Sequence, residues 1–375
     1  MRIVFVCPGT LRRNTAGVEQ SVYYLAQYLK KEGHEVEVYC VPHENPAGRV
    51  TYDGLSLTEF PGFSPNRAFY FSWELYRTLR ESHHDIIHAY GYNSLPTMLA
   101  VLAKKNNEKL IITGASSISS SPWRKMLHPL LNVYYHALGA KIDKLICVSD
   151  YEYDLFTRKI NIDPQKYTLI PNGIDVKRFS SAKKKRIPHM ILTVARLVKQ
   201  KGVHRLIAAL PFVLKKYPDA TLHIVGDGVE RGALEKQAAE LNIQSHVTFH
   251  GHIQFEKLDM IIGLYSNAHV FSLMADSESQ GLVYGMAAAT KCPIIATHSS
   301  AMKDLVKVGA AIGIENPDNA EEVAKGIMHS FEKPLPTFDL DQVIWSWDRI
   351  GKEVSRVYQE VLSPRKTGKT GSKGQ

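Results

Sequence analysis

The sequence predicts an α/β protein built from two units, each with a mostly parallel β-sheet covered by helices. The chain has 375 residues, which is more than a single hydrophobic core usually serves. Short apolar runs alternate with segments whose apolar residues recur at helical spacing, as in parallel sheets covered on both faces. This alternation stops at a segment rich in proline, glycine and lysine, residues 171–190, and then begins again.

The composition is that of a soluble globular protein, with 44% apolar and 22% charged residues. No apolar run approaches the roughly 20 residues that a membrane span requires, and the N-terminal run is too short for a secretory signal. The four cysteines lie singly in or beside apolar runs, without C-x-x-C spacing. We therefore expect a cytoplasmic protein whose cysteines are reduced core residues and bind no metal.

The net charge of +9 is concentrated in two short segments. Four basic residues lie together at positions 183–186, and the C-terminal tail carries four more. The rest of the chain is close to neutral, so no basic face for nucleic acid is predicted. The tail, residues 364–375, lacks apolar residues and is expected to be disordered, either as a solubilising end or in contact with anionic lipid headgroups.

The first unit is expected to span residues 1–180 and to open with a strand, a helix and a second strand. The apolar run Arg2–Cys7 predicts the first strand, and an alternating run at residues 36–41 predicts the second. Between them, a helix is expected to end at Gly33. Its buried face is predicted to contain Val22, Leu25, Ala26 and Leu29. Further strands are predicted at residues 56–60, 85–89, 110–113 and 144–148.

Two segments of the first unit leave alternatives open. The aromatic run FYFSW at residues 69–73 is interpreted as part of the core, with the wall of a substrate site as the alternative. The segment at residues 122–142 is amphipathic and combines basic residues with Trp123 and several leucines. We expect it to pack as a surface helix, with contact to a membrane surface as the alternative.

A basic linker, residues 181–188, is expected to be solvated and to lead into the second unit, residues 189–344. Strands of the second unit are predicted at residues 190–195, 221–225, 246–250, 268–273 and 293–297. A final helix is predicted over residues 345–363, with Ile350, Val354, Val357 and Val361 on one face.

The polar turn after the predicted strand at residues 268–273 is a candidate ligand site. It contains Asp276, Ser277 and Glu278, and Gly281 then opens a helix of small residues. In a parallel sheet, ligands bind at the carboxyl ends of the strands, and a helix N-terminus there favours an anion. We expect this turn to hold a phosphate-bearing ligand whose hydroxyls donate hydrogen bonds to Glu278.

A second candidate segment follows the predicted strand at residues 190–195. Arg196 and Lys201 lie just beyond the end of that strand, and Gly202 allows the backbone to approach a ligand. Both cations can offset charge on a diphosphate. Further along, VGDGVERG resembles a dinucleotide-binding loop, but its third glycine comes one residue too late for G-x-G-x-x-G. We therefore predict no dinucleotide site.

The two candidate segments resemble the donor site of the retaining nucleotide-sugar glycosyltransferases of family 4. Members carry a GRL-x3-KG segment, here ARLVKQKG at residues 195–202, and an E-x7-E segment, here beginning at Glu278. A PNGID-x3-F segment like that at residues 171–179 joins their two domains, and residues 16–19 match their GGVE-like loop. The resemblance implies the GT-B fold, in which two Rossmann-like domains face each other across a cleft and the final helix returns to the first domain.

The resemblance also implies a reaction and its residues. A sugar would pass from a nucleoside diphosphate to an acceptor hydroxyl with retention, and no metal or cofactor besides this co-substrate is implied. Arg196 and Lys201 would offset the charge of the leaving diphosphate, and Glu278 would be the third catalytic residue. The donor-binding residues implied by the resemblance are Gly17, Gly202, Ile253, Gly281, Leu282, Val283 and Met286.

The acceptor stays open among glycans, lipids and small molecules, with lipid-linked and polysaccharide acceptors both compatible. Peripheral contact with the inner face of a membrane is an alternative to a free cytoplasmic protein. Three departures from the family pattern affect the site: Met286 replaces the second Glu of E-x7-E, Ala115 replaces a histidine, and Ser300 and Ala301 replace a glycine pair. A second hypothesis is therefore a catalytically impaired relative that binds nucleotide sugar or scaffolds an active partner.

Overall fold

We describe the fold from a computed structural model of the chain. The described residues are 1–13, 17–42, 46–63, 71–92, 94–114, 134, 139–159, 162–183, 185–254, 257–333 and 338–363. Ala16, Ala115, most of the amphipathic segment at residues 122–142 and the tail at residues 364–375 lie outside them, as do the predictions made for those positions. Across the described ranges, no helix is both long and apolar enough to cross a membrane.

The first unit contains an eight-stranded sheet. Its strands are β1 (Arg2–Cys7), β2 (Glu35–Cys40), β3 (Gly48–Tyr52), β4 (Leu55–Glu59), β5 (Ile86–Tyr90), β6 (Lys109–Thr113), β7 (Lys144–Cys147) and β8 (Tyr167–Leu169). They lie in the order β3-β4-β2-β1-β5-β6-β7-β8. All pairs are parallel except β3 and β4. The chain leaves β1 toward β2 and returns to β5, so the strand order reverses between β1 and β5.

The sequence analysis missed the edge strands β3 and β8. Residues of β3 are mostly exposed, so the strand lacks the buried alternation that marks interior strands. A turn at Asp53 and Gly54, both with positive φ, connects β3 to β4. An Asp-Gly pair is a strong hairpin signal, and it could have located β3 from the sequence.

The helices of the first unit cover its sheet. They are α1 (Gly17–Lys31), α2 (Trp73–Glu81), α3 (Leu95–Ala103) and α4 (Asp150–Lys159). The predicted buried face of α1 is confirmed, because Val22, Leu25, Ala26 and Leu29 are all buried. Serine side chains cap the N-termini of α2 and α3, since Ser72 and Ser94 each accept a hydrogen bond from a backbone N–H of the first turn.

The second unit contains a six-stranded parallel sheet. Its strands are β10 (Met190–Val194), β11 (Thr221–Val225), β12 (Val247–Gly251), β13 (Val270–Leu273), β14 (Ile294–Thr297) and β15 (Ile312–Ile314). They lie in the order β12-β11-β10-β13-β14-β15, so the strand order reverses between β10 and β13. Its helices are α6 (Val203–Leu214), α7 (Arg231–Glu240), α8 (Leu258–Asn267), α9 (Leu282–Ala289), α10 (Met302–Lys307) and α11 (Ala320–Glu332).

The chain passes between the units twice, and the two passages pair with each other. The first contains β9 (Gly173–Ile174) and α5 (Val176–Ser180), and the second contains β16 (Trp345–Ser346). β9 and β16 form a small parallel sheet. The final helix, α12 (Trp347–Leu362), then packs on the first unit, where Tyr358 is fully buried and hydrogen-bonds His88 at 2.7 Å.

Two interpretations from the sequence are wrong at particular residues. The linker is not solvated throughout, because Arg186 donates hydrogen bonds to the backbone carbonyls of Tyr265, Ala268 and Thr290 at 2.7–2.8 Å. It thereby caps the C-terminus of α8. The aromatic run is not core where it is described, since Phe71 is 40% exposed and Trp73 is 60% exposed. Neither pattern of contacts can be inferred from composition.

Candidate active site

The candidate site lies at the carboxyl edge of the second sheet, where the strand order reverses. Arg196 and Lys201 follow β10, and Glu278 follows β13. β10 and β13 are paired parallel neighbours, so the loops that leave their carboxyl ends lie side by side. Such a switch point is the usual ligand crevice of an open α/β sheet.

Lys201 and Glu278 form an ion pair across this switch point. Lys201 Nζ lies 2.5 Å from Glu278 Oε1, and the two side chains are only 19% and 11% exposed. One backbone hydrogen bond joins the two loops, since the Asp276 N–H donates to the Gln200 carbonyl at 2.9 Å. The Glu278 N–H donates to Ser300 Oγ, in the loop after β14, also at 2.9 Å. The structure therefore brings together two of the three predicted catalytic residues.

Arg205 on α6 supports the same turn, and the sequence analysis missed it. Its guanidinium donates hydrogen bonds to the Met274 carbonyl at 2.8 Å, to Asp276 at 2.6 Å and to Asp318 at 2.7 Å. The side chain is only 12% exposed. These contacts fix the segment between β13 and Glu278. No sequence signal distinguishes Arg205 from an ordinary surface arginine of a helix.

Arg196 lies on a loop that two glycines hold in place. The Leu197 N–H donates to the Asp227 carbonyl at 2.9 Å. A Cβ atom on Gly226, which has φ +129°, would overlap the Ala195 carbonyl, and one on Gly228 would overlap the Leu197 carbonyl. The glycines of VGDGVERG thus allow two loops to pack closely and position Arg196, whose side chain is exposed.

Gly202 and Gly281 are required by both backbone conformation and packing. Both have positive φ, +65° and +73°, which side-chain-bearing residues rarely adopt. A Cβ atom would overlap the Met274 carbonyl at the first position and the Tyr284 ring at the second. Gly281 precedes α9 directly, so it sets the direction of the helix N-terminus beside Glu278.

The first unit approaches the site through the N-terminus of α1. A Cβ atom on Gly17 would lie 3.1 Å from Leu282 Cδ1, so these two predicted donor residues face each other across the cleft. Glu19 lies nearby against Gly9, and its Oε2 atom is buried without a hydrogen-bond partner among the described residues. Burial raises the pKa of Glu19, and the positive charge of Arg196 partly offsets that rise.

The other predicted donor residues contribute to packing. Ile253 is 9% exposed and belongs to the core of the second unit, against which Val283 also packs. Met286 is half-buried and lines a small cavity between the units that is partly open to solvent. Tyr24 and Trp347 line the same cavity and stack with their ring centroids 5.1 Å apart. Met286 therefore lies among side chains from both units.

A hydrogen-bonded clamp ties the Glu278 loop to the first passage between the units. The Asn172 N–H donates to Gln280 Oε1 at 2.6 Å, and Gln280 Nε2 donates to the Asn172 carbonyl at 3.0 Å. The Ser21 hydroxyl of α1 lies 3.1 Å from Asn172 Oδ1. Gln280 and Asn172 both lie in segments that resemble the family, but the sequence alone did not show that they pair.

On the first unit, the loop after β1 is anchored by a buried carboxylate. Glu59 is 1% exposed and accepts hydrogen bonds from the Arg12 guanidinium at 2.8 Å, from the Thr10 hydroxyl and from the Ala47 N–H at 2.9 Å. Burial alone would raise the pKa of Glu59, but the hydrogen bonds from Arg12, Thr10 and Ala47 outweigh it and lower the pKa. This loop leaves the carboxyl edge of the first sheet.

Within the described ranges, no three His, Cys, Asp or Glu side chains are close enough to hold a metal ion together. The D-x-D pair at Asp339 and Asp341 has a local structural role: the Asp339 carboxylate accepts a hydrogen bond from the Asp341 N–H at 3.0 Å. It thereby caps the short 3₁₀ helix Leu340–Gln342.

Two family models match almost the whole described chain. The model "Glycosyltransferase Family 4" matches residues 15–178, and "Glycosyl transferases group 1" matches residues 175–340. The chain belongs to the family 4 glycosyltransferases. The two matched ranges meet in the first passage between the units, so the first lies mainly on the first unit and the second on the second unit. The predicted family and GT-B fold are confirmed.

Named relatives of this glycosyltransferase are similar over most of their length. A phosphatidylinositol N-acetylglucosaminyltransferase subunit of Arabidopsis thaliana is 24% identical over 93% of this chain and 80% of its own. The phosphatidyl-myo-inositol mannosyltransferase of Mycolicibacterium smegmatis is 25% identical over 96% and 94%. The crystal structure of Anabaena HepE with UDP and glucose superposes with a TM-score of 0.73, at 16% identity, over 96% of this chain and 99% of that one.

Proposed function

We propose that this glycosyltransferase takes a sugar from a nucleoside diphosphate and transfers it, with retention, to a hydroxyl of a lipid-linked acceptor. The Lys201–Glu278 ion pair at the switch point of the second sheet is the main support for a nucleotide-sugar donor. Arg196 is exposed on the adjoining loop. Two cations and a carboxylate at this edge match a ligand that combines a diphosphate with sugar hydroxyls.

Charge on the leaving group dominates the barrier to this reaction, since a diphosphate departs while the anomeric carbon becomes cationic. Arg196 and Lys201 would stabilise the departing diphosphate, and one well-placed group of this kind is typically worth about 3 to 4 kcal/mol. Without donor, Glu278 neutralises Lys201. When the diphosphate binds, Lys201 turns toward it, and Glu278 accepts hydrogen bonds from sugar hydroxyls instead.

The clamp between Gln280 and Asn172 gives this site a link to the acceptor side. Gln280 lies two residues after Glu278, and its amide hydrogen-bonds the passage that connects the two units. A shift of the first unit relative to the second is thereby transmitted to the loop that carries Glu278. Because reacting groups must be held within fractions of an ångström, the clamp favours transfer when both units are correctly placed.

The proposal of a lipid acceptor is supported by the names of two relatives. Two relatives that are similar over most of the chain are named for transfer to phosphatidylinositol or a phosphatidyl-myo-inositol. Each likeness covers more than nine-tenths of this chain, so it includes most of the first unit, which would hold the acceptor. We therefore favour an inositol phospholipid or a related lipid with a free hydroxyl over a polysaccharide.

The test is to incubate the full chain with a panel of nucleotide sugars and vesicles that contain phosphatidylinositol. Nucleoside diphosphate release is measured, and proton coupling in the product identifies its anomeric configuration. Phosphatidylcholine vesicles are the matched control, because that lipid has no free hydroxyl. Release that depends on phosphatidylinositol, with a retained anomer, supports the proposal. Release with a glucan alone overturns the lipid acceptor, and an inverted product overturns retention.

Met286 stands in place of the second Glu of the family's E-x7-E segment. This replacement favours a second candidate function, a catalytically impaired protein that binds a nucleotide sugar. A thioether cannot accept the pair of hydrogen bonds that a carboxylate would accept from ribose hydroxyls. Calorimetry separates the candidates: donor binding without release for any acceptor indicates the impaired protein, whereas turnover excludes it.

A further inference from the structure

Ser300, in the loop after β14, adopts a backbone conformation that serine rarely adopts. Its φ angle is +47°, and of the five non-glycine residues with positive φ in the described ranges it is the one at the candidate site. The family pattern has a glycine at this position, and glycine adopts such a conformation without strain. Strained residues persist where the surrounding structure requires them. A serine here is explained only if its side chain makes a contact that glycine could not make.

The Ser300 hydroxyl makes such a contact with Glu278. Its Oγ atom accepts a hydrogen bond from the Glu278 N–H at 2.9 Å, and among the described residues this is the one hydrogen bond that the hydroxyl makes. The turn at Ser300 is closed by its backbone, since the Lys303 N–H donates to the Ser300 carbonyl at 3.3 Å. The hydroxyl is therefore not needed for the turn, and what it adds is the contact with Glu278.

Two further hydrogen bonds join the loop after β14 to the loop that carries Glu278. Ser299 Oγ donates to the Asp276 carbonyl at 3.2 Å, and the Ala301 N–H donates to the Glu278 carbonyl at 3.4 Å. β13 and β14 are paired parallel neighbours, so the two loops leave the same sheet edge side by side. The loop after β14 therefore binds both backbone polar groups of Glu278, while the carboxylate faces Lys201.

The orientation of the Glu278 backbone determines where its carboxylate lies. A carboxylate that accepts hydrogen bonds from sugar hydroxyls needs well-defined distances and angles to them. Without the bond to Ser300, the turn could rotate and the carboxylate would lose its alignment with the sugar. Lys201 and Arg196 lie on the other loop and would still bind the diphosphate. Loss of the hydroxyl should therefore affect the sugar more than the diphosphate.

We propose that Ser300 is a positioning residue, which acts through the Glu278 N–H to fix the Glu278 carboxylate for recognition of the donor sugar. The inference rests on the proposed nucleotide-sugar donor and deepens it, because it separates recognition of the sugar from binding of the diphosphate. It concerns binding and can be measured without turnover, so it applies equally to a catalytically impaired protein.

The test compares, by calorimetry without acceptor, the affinities of the full chain for a nucleotide sugar and for its nucleoside diphosphate. The probe pairs are UDP-glucose with UDP and GDP-mannose with GDP, and the pair that the native chain binds more tightly is used. The test variants are Ser300→Gly and Ser300→Ala. We expect both to bind the nucleotide sugar about tenfold more weakly, with the affinity for the nucleoside diphosphate within about twofold of the native value.

The two variants differ in backbone strain, which separates positioning from folding. Ser300→Gly loses the hydrogen bond but also the strain, so it should unfold close to the native Tm, whereas Ser300→Ala keeps the strain and should unfold at a lower temperature. The matched control is Lys291→Gly. Lys291 is exposed, has φ +54° and precedes β14 at the opposite edge of the sheet, so this variant should keep the native affinities.

Ser300→Ala is also measured in a Glu278→Ala background. It should have no further effect on nucleotide-sugar affinity there, because its effect depends on the Glu278 carboxylate. A persistent effect in that background would overturn the inference. Native affinity of Ser300→Gly for the nucleotide sugar would also overturn it, as would an equal loss of affinity for the nucleoside diphosphate.

Release of nucleoside diphosphate tests the proposed function separately. A native chain that binds the nucleotide sugar in a manner dependent on Ser300, but transfers to no acceptor, contradicts the proposed transfer and supports the inference. A native chain that transfers sugar and tolerates Ser300→Gly without loss of affinity supports the transfer and overturns the inference. A native chain that binds neither nucleotide sugar overturns both.

Discussion

Lys201 and Glu278 are 77 residues apart in the chain, yet their charged atoms lie 2.5 Å apart at the candidate donor site. Two parallel strands, β10 and β13, pair directly and place the two loops at one sheet edge. The pair is largely shielded from solvent, so its electrostatic effect is screened less than that of a surface pair. This relationship makes the role of Lys201 testable by single substitutions.

We expect Lys201→Ala to lower kcat/KM at least about a hundredfold, equivalent to about 2.7 kcal/mol, because the leaving diphosphate loses a fixed cation. Steady-state release of nucleoside diphosphate measures the effect. The matched control is Lys199→Ala, which removes an exposed lysine from the same short helix, Lys199–Lys201. Near-native turnover by the Lys201 variant would contradict the assignment of the diphosphate site.

Met286→Glu should tighten the binding of a nucleoside diphosphate. A carboxylate at this position can accept charge-assisted hydrogen bonds from ribose hydroxyls, worth roughly 1.5 to 3 kcal/mol before desolvation. Met286 is half-buried beside a cavity and is not enclosed in the core, so a side chain of similar length fits there. Calorimetry of the Glu variant against Met286→Leu measures the gain. Equal affinity in the two variants would show that the position does not contact the ribose.

Gln280→Ala should impair transfer more than donor binding. The substitution removes both hydrogen bonds between the Glu278 loop and Asn172 but leaves Lys201 and Glu278 in place. We expect kcat to fall about tenfold while the dissociation constant for nucleoside diphosphate stays nearly constant, because positioning acts chiefly in the transition state. Gln280→Glu is the companion variant, since it keeps one acceptor for the Asn172 N–H. A change in binding alone would refute a positioning role.

His88 should make the stability of the protein depend on pH. Burial lowers the pKa of His88 from 6.5 to about 3, and its ring hydrogen-bonds Tyr358 and Thr113 at 2.7 Å. Between these two pKa values the unfolded chain binds a proton that the folded chain does not bind, so the free energy of unfolding falls as the pH falls. The contribution of this group is about 2 kcal/mol between pH 7 and pH 5.

Urea unfolding at pH 7 and pH 5 measures this dependence. His88→Gln should lose less stability than the native protein over that interval, because glutamine does not titrate. His83→Gln removes a half-exposed imidazole from the neighbouring turn and should keep the native dependence. If the His88 and His83 variants have the same pH dependence as the native protein, His88 is not the group responsible.

Elements with a local pattern could be predicted from the order of amino acids alone. The strands at Arg2–Cys7 and Thr221–Val225 have the predicted bounds, and the buried face of α1 contains the predicted residues. The spacing of apolar residues along the chain indicates a strand or an amphipathic helix, so no knowledge of distant contacts is needed to recognise either one. The same holds for the polar loop that carries Glu278, because it follows an apolar run directly.

The contacts between distant residues, and the exposure of particular side chains, became known only from the folded chain. The order of strands in the second sheet brings Lys201 next to Glu278. Packing of distant segments also places Gly226 and Gly228 against the Arg196 loop and pairs β9 with β16. The folded chain also leaves Trp73 outside the core, although the aromatic composition of residues 69–73 suggested burial. These outcomes depend on how chain segments far apart in sequence pack against each other, and the local pattern of a segment carries no information about its partner.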